Sequence, residues 1–148
     1  MTSFTATPAD GSAWVTGASS GIGKALALDL AREGFTVFAT ARSEDALKEL
    51  AGQSAGLKGR IIAAAGDVTD TGAMAEIAGR IDAEANGLAL AVFNAGVYLP
   101  VHGETLKVED FDKSFAVNLS GVVNGLVPAI ERMKARGRGQ IAIVSSVT

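Results

Sequence analysis

Between two apolar segments lies Thr16-Gly17-Ala18-Ser19-Ser20-Gly21-Ile22-Gly23, with three glycines and two serines in eight positions. Glycines so placed serve three purposes. The first lets the chain turn sharply after a strand, the second lets the backbone touch a pyrophosphate, and the third lets the next helix pack closely on the strand. Gly17, Gly21 and Gly23 stand in that order. A helix beginning there turns free N–H groups and the positive end of its dipole toward phosphate oxygens, and Ser19 and Ser20 add hydroxyl donors. The contact set expected from this loop is Gly17, Ser19, Ser20, Gly21, Ile22 and Gly23. A ligand-free glycine turn could use the same letters; the strand-loop-helix context favours the anion.

Other chemistries are excluded by composition. There are no cysteines and one histidine, His102, so thiolate and histidine-cluster metal sites are ruled out, and no metal is expected. A net charge of −3 lacks the basic footprint that nucleic acid requires. Apolar residues make up 48% and charged ones 20%, ordinary for a globular domain with a core. Met1 to Ser12 carries no leader-like pattern and no apolar run reaches membrane-spanning length, so a cytoplasmic location and no membrane partner are expected. The length of 148 residues suits one domain.

The elements that must position the loop are legible as alternating segments. Strands are expected at Ala13–Thr16, Thr36–Thr40, Ile61–Ala65, Leu88–Phe93 and Gln140–Val144. A first helix runs from about Gly21 to Glu33, with Ile22, Leu26 and Leu30 as its stripe and Gly34 as its stop. Ser43 caps a second helix through Leu50. Asp70 or Thr71 caps a third, striped by Met74, Ile77, Ala78, Ile81 and Ala85. A long helix spans about Glu109 to Ala135, with Pro128 as a candidate kink. The strands are nearly continuous apolar runs, as in a parallel sheet covered on both faces. Strict alternation with right-handed crossovers gives an α/β fold, a Rossmann-type doubly wound sheet of order 3-2-1-4-5. The ligand then lies at the carboxyl ends of the strands, where the order reverses.

The motif T-G-x-x-x-G-x-G resembles the fingerprint of the short-chain dehydrogenases/reductases, and further matches follow in order from Ser12 onward. Asp67-Val68 resembles the acidic-apolar pair that holds the adenine. Asn94-Ala95-Gly96 is similar to the N-A-G motif bordering the adenine ribose. Asn118 falls where the family places a helix-borne asparagine, and Ser145-Ser146 where it places the catalytic serine, Ser146 being the implied one. Two readings stand for Asn118, placed on a core-facing stripe with Phe111, Phe115 and Val122. It is either a structural amide on a backbone carbonyl or, by resemblance, part of a device fixing a proton-relay water. Ser146 alone could equally cap local backbone, and Asp67 could serve helix entry.

The resemblance implies a nicotinamide cofactor. Counting from Gly34 as the family does, the carboxylate that an NAD site uses for its ribose falls at Ala41, and Arg42 follows. Loss of the acid and gain of a guanidinium favour NADP(H) over NAD(H); otherwise Arg42 decorates a surface turn, paired with Glu44 or Asp45. The implied activity is reduction of a ketone or aldehyde, or oxidation of an alcohol, by hydride transfer, with a small-molecule substrate. A homo-oligomer built on the long helix is implied for a full-length form.

The family's tyrosine and lysine, Y-x-x-x-K, have no counterpart here. Tyr98 is followed four residues on by His102, and both are expected in a loop near the substrate mouth. On these residues alone the chain is expected to be inactive, the cofactor-binding portion of a longer protein. The fifth strand would then be an open edge, with part of the face over Leu88–Phe93 and Ile141–Val144 uncovered. The alternative is a catalytically incompetent dinucleotide-binding or interaction module.

Overall fold

The computed structural model describes residues 3–146. Five parallel strands, β1 (Ser12–Thr16), β2 (Thr36–Thr40), β3 (Arg60–Ala63), β4 (Leu88–Phe93) and β5 (Gln140–Ile143), form one sheet of order β3-β2-β1-β4-β5. Five helices, α1 (Gly21–Glu33), α2 (Glu44–Gln53), α3 (Thr71–Glu84), α4 (Glu109–Phe115) and α5 (Gly121–Arg136), cover its faces. A π-helical turn, Ala116–Ser120, joins α4 to α5.

Alternating side chains divide the core in two. Ala13 and Val15, Val37 and Ala39, and Leu90 and Val92 pack with Ala27 and Ala31 of α1 and Leu47 and Leu50 of α2. Trp14, Phe38, Ala91 and Phe93 point the other way, against Met74, Ile77 and Ile81 of α3 and Ala129 and Met133 of α5. Trp14 meets Phe93 edge-on at 5.8 Å and donates its indole N–H to Thr40 Oγ1 at 2.9 Å. Caps act where the sequence places them. Ser43 accepts from Ala46 N–H, Asp70 rather than Thr71 accepts from Ala73 N–H, and Gly34 closes α1 at φ 111°.

Several expectations are corrected. The buried line of α1 is Gly23, Ala27 and Ala31, flanked by half-buried Leu26 and Leu30, while Ile22 is 66% exposed. Small residues face the sheet because α1 lies so close to it. The long helix is not one α-helix: one π turn interrupts it at residues 116–120. Its face bearing Phe111, Phe115 and Asn118 points outward, not into the core. The β4 strand is buried at every position, because Gly125 lets α5 come down on Phe93, whose ring a Cβ there would meet at 2.5 Å. Exposure is confined to β5 and its end, with Ile143 53% and Val144 41% accessible. Finally, β3 ends at Ala63 rather than Ala65, although Ala64 and Gly66 N–H still bond to Ala39 and Ala41 carbonyls.

Thr40 lies in the fully buried layer, so Thr40→Val leaves the Trp14 N–H without its acceptor. The expected loss is about 1–3 kcal/mol of unfolding free energy, read by denaturant titration; an unchanged midpoint would show that the bond carries no weight.

Candidate nucleotide cleft

A cleft of about 600 Å³ opens at the carboxyl ends of β1, β2 and β4, where the strand order reverses. Gly17, Ser19 and Ser20 line one side, Ala41 and Arg42 the next, Asp67, Val68 and Thr69 the third, and Asn94 to Val97 the floor. Lys113, Ala116 and Val117 close it from the helix side.

The glycines differ physically. Gly17 adopts φ +67°, and a Cβ there would sit 2.7 Å from Ala95 Cα. Gly23 needs no unusual φ, but its Cβ would strike the Gly17 carbonyl and stand 2.5 Å from Asn94 Nδ2. Gly21, at φ +54°, faces open space. The loop is thus pressed onto the sheet at its two ends and open at its middle. Ser20 occupies the N-cap of α1 without a side-chain hydrogen bond to it, whereas Ser43 and Asp70 cap their helices with their side chains. Nucleotide phosphates fit this cradle, since its open point lies at a helix N-terminus whose capping side chain is uncommitted.

Asn94 fixes the floor. Its Nδ2 donates to the Thr16 and Gly17 carbonyls at 3.2 and 3.3 Å, while Thr16 Oγ1 accepts from Asn94 and Ala95 N–H at 3.1 and 3.2 Å. Asn118 ties down the next stretch: its Oδ1 accepts from Val97 N–H at 2.7 Å and its Nδ2 donates to the Val97 carbonyl at 2.9 Å. The structural reading of that amide is therefore realised, although on an exposed face. Asp67 accepts from Thr69 N–H at 2.9 Å and Thr69 Oγ1 at 2.8 Å. Those two bonds hold its carboxyl below the usual range; partial burial opposes them, and nearby Arg42 adds attraction.

Of the expected residues, nine line the cleft together: Gly17, Ser19, Ser20, Arg42, Asp67, Val68, Asn94, Ala95 and Gly96. Gly21, Ile22 and Gly23 lie beside it in the loop and first helical turn, and Asn118 stands behind Val97. Ser146 is exposed past the end of β5, outside the cleft wall. Tyr98 is 86% exposed, and His102 lines a separate hollow of about 270 Å³ with Thr105, Lys107 and Asp110. Arg42 pairs with neither Glu44 nor Asp45; Glu44 pairs with Lys48, and Arg42 has no ion pair among the described residues. Lys113 and Thr69 escaped the sequence reading. The D-x-T spacing from Asp67 to Thr69 was a usable signal for an Asx turn, whereas Lys113 carried none.

The chain matches the family model described as short chain dehydrogenase over residues 12–148. It belongs to that family. Among short-chain dehydrogenases it is 35% identical to a 3-oxoacyl-[acyl-carrier-protein] reductase of Thermotoga maritima, over 90% of this chain and 54% of that one. A short-chain type dehydrogenase/reductase structure from Mycobacterium marinum superposes with a TM-score of 0.86 at 32% identity, over 90% of this chain and 55% of that one. The alcohol dehydrogenase of Thermococcus sibiricus, complexed with 5-hydroxy-NADP, does so with a TM-score of 0.82 at 30% identity, over 90% and 57%. This chain thus spans about half the length of these three proteins. Among the described residues no helix is long and apolar enough to cross a membrane, and no acidic, histidine or cysteine group could hold a metal ion.

The depressed Asp67 pKa sets a pH dependence. A carboxylate lowered on folding contributes stability that is complete above its unfolded value and lost as pH falls through the lower folded one. Asp67 is expected to titrate below an aspartate of the unfolded chain, and in Thr69→Val to move upward, as followed by carboxyl NMR. A wild-type value no lower than the unfolded one would contradict the turn's role.

Proposed function

We propose that the cleft binds NADP(H) and that the protein reduces a ketone or aldehyde, or oxidises the corresponding alcohol, by hydride transfer. The observation that carries the cofactor choice is the pairing of Ala41 with unpaired Arg42 on the cleft wall. A carboxylate at that place would repel a 2′-phosphate, whereas a guanidinium can fork onto it. The complex of the Thermococcus sibiricus alcohol dehydrogenase with 5-hydroxy-NADP is consistent with this reading.

Bound NADP(H) would supply or accept the hydride. The loop from Gly17 to Gly23 and the α1 N-terminus would receive its pyrophosphate, and Asp67 with Val68 the adenine. Asn94, Ala95 and Gly96 would border the ribose. Ser146 would hold the substrate oxygen, contributing orientation and charge stabilisation. The Asn118 side chain is spent on Val97, so any part it takes in fixing a relay water falls to the π-helical backbone around it. Neither exposed Tyr98 nor His102 is assigned proton transfer. The activity proposed is that of a protein carrying the family's tyrosine and lysine.

In the full-length protein, Arg42→Asp is expected to weaken NADPH binding about ten- to a hundred-fold, in line with loss of a charge-assisted bidentate contact, while sparing NADH. Fluorescence titration reads both, and equal NADPH affinity in the two proteins would refute the preference. Ser146→Ala should lower kcat about a hundred-fold with cofactor affinity unchanged; an unaltered kcat would remove Ser146 from the site.

We further propose self-association through the outer face of α4 and α5. Phe111, Phe115, Leu119, Val123, Val127 and Ile130 are all exposed at near four-residue spacing, one apolar stripe along the helical body. Contiguous exposure of this kind marks an interaction face, and a second copy presents a matching stripe. Val123→Glu with Val127→Glu should halve or quarter the mass measured by light scattering; a monomeric wild type would end this proposal.

A further inference from the structure

Asp67, Val68 and Thr69 form the wall of the cleft between β3 and α3, and they are held from behind as well as from within. Val68 is buried, and its side chain lies against Gly121 of α5 so closely that a Cβ there would stand 2.7 Å from Val68 Cγ2. Three residues on, half-buried Asn124 spans to the same segment. Its Nδ2 donates to the Val68 carbonyl at 2.9 Å, and its Oδ1 accepts from Thr71 Oγ1 at 3.1 Å. The Val68 carbonyl lies outside both β3 and α3, so neither ladder nor helix supplies it with a donor. Asn124 therefore fixes the orientation of the Val68–Thr69 peptide, inside the turn that Asp67 makes with Thr69.

We propose that Asn124 is a positioning residue for the adenine half of the nucleotide, acting through the Val68 carbonyl. The inference rests on the reading of the cleft as an NADP(H) site. Asn124 does not line the cleft, so its effect passes through Val68 and Asp67. It is confined to one wall, because the loop that would take the phosphates is held by Asn94 instead.

The test compares the two halves of the nucleotide in the full-length protein: 2′,5′-ADP for the adenine half and reduced nicotinamide mononucleotide for the other. Asn124→Leu removes both bonds, whereas Asn124→Asp keeps an acceptor for Thr71 and loses the donor to Val68. Both variants are expected to bind 2′,5′-ADP about ten-fold more weakly, the effect of one lost hydrogen bond. Their affinity for the mononucleotide should stay within about two-fold of wild type. Unchanged 2′,5′-ADP binding in either folded variant, or a parallel loss for both ligands, would overturn the proposal. Should Asn124→Leu fail to fold, Asn124→Asp decides alone. A wild-type protein that binds no 2′,5′-ADP would instead overturn the NADP(H) reading, and this one with it.

Discussion

Asn94 reaches from the end of β4 to the carbonyls of Thr16 and Gly17, and that short bridge sets how closely the β1–α1 loop and α1 lie on the sheet. It requires the β1–α1 loop to lie almost in contact with the β4 end, which Gly17 and Gly23 permit by having no side chain in the way. The same closeness explains why α1 buries glycine and alanine rather than large residues. A helix held that near the sheet has room for Gly23, Ala27 and Ala31, and its bulkier residues go to the flanks. The apolar burial lost there is recovered on the opposite face, where Trp14, Phe38 and Phe93 fill the wider gap beneath α3 and α5.

Amide side chains do related work at three places around the cleft. Asn94 joins the floor to the loop, Asn118 joins it to the helix, and Asn124 joins the far wall to the same helical body. Each satisfies backbone groups at or beyond the ends of strands, where the ladder stops supplying partners. An amide suits this task because it carries a donor and an acceptor without charge. At Val97 a carboxylate or a lysine would leave either the carbonyl or the N–H unpaired.

Much of this was legible from the sequence. Strand order and the caps at Ser43 and Asp70 follow from apolar runs and turn chemistry, Gly17, Ser19 and Ser20 from the glycine spacing, and the other six cleft-lining residues from the family resemblance. The errors have a common origin, since periodicity shows that a helix has an apolar face but not which face the sheet takes. Ile22 looked like the head of the α1 stripe because it is large, yet the close approach selected the small residues. Phe111, Phe115 and Asn118 share a face, and nothing local distinguished an outward apolar face from an inward one. The π turn was equally silent, since nothing in the letters of residues 116–120 marks it, although it leads directly into the contacts of Gly121 and Gly125 with Val68 and Phe93.

Those contacts explain why one helical body can serve two directions. Phe93 against Gly125 and Val68 against Gly121 bring α5 down onto β4 and the Val68 wall of the cleft at two small residues four positions apart. Asn124 lies between them and points to the same wall, while Val123 and Val127 turn outward. Glycines and an amide thus give the inward face its close approach and specific bonding beside Val122, Leu126 and Met133, while Val123 and Val127 stay outside. Ordinary α-helix in place of the π segment would rotate the later residues relative to the earlier ones by a full residue step, about 100°.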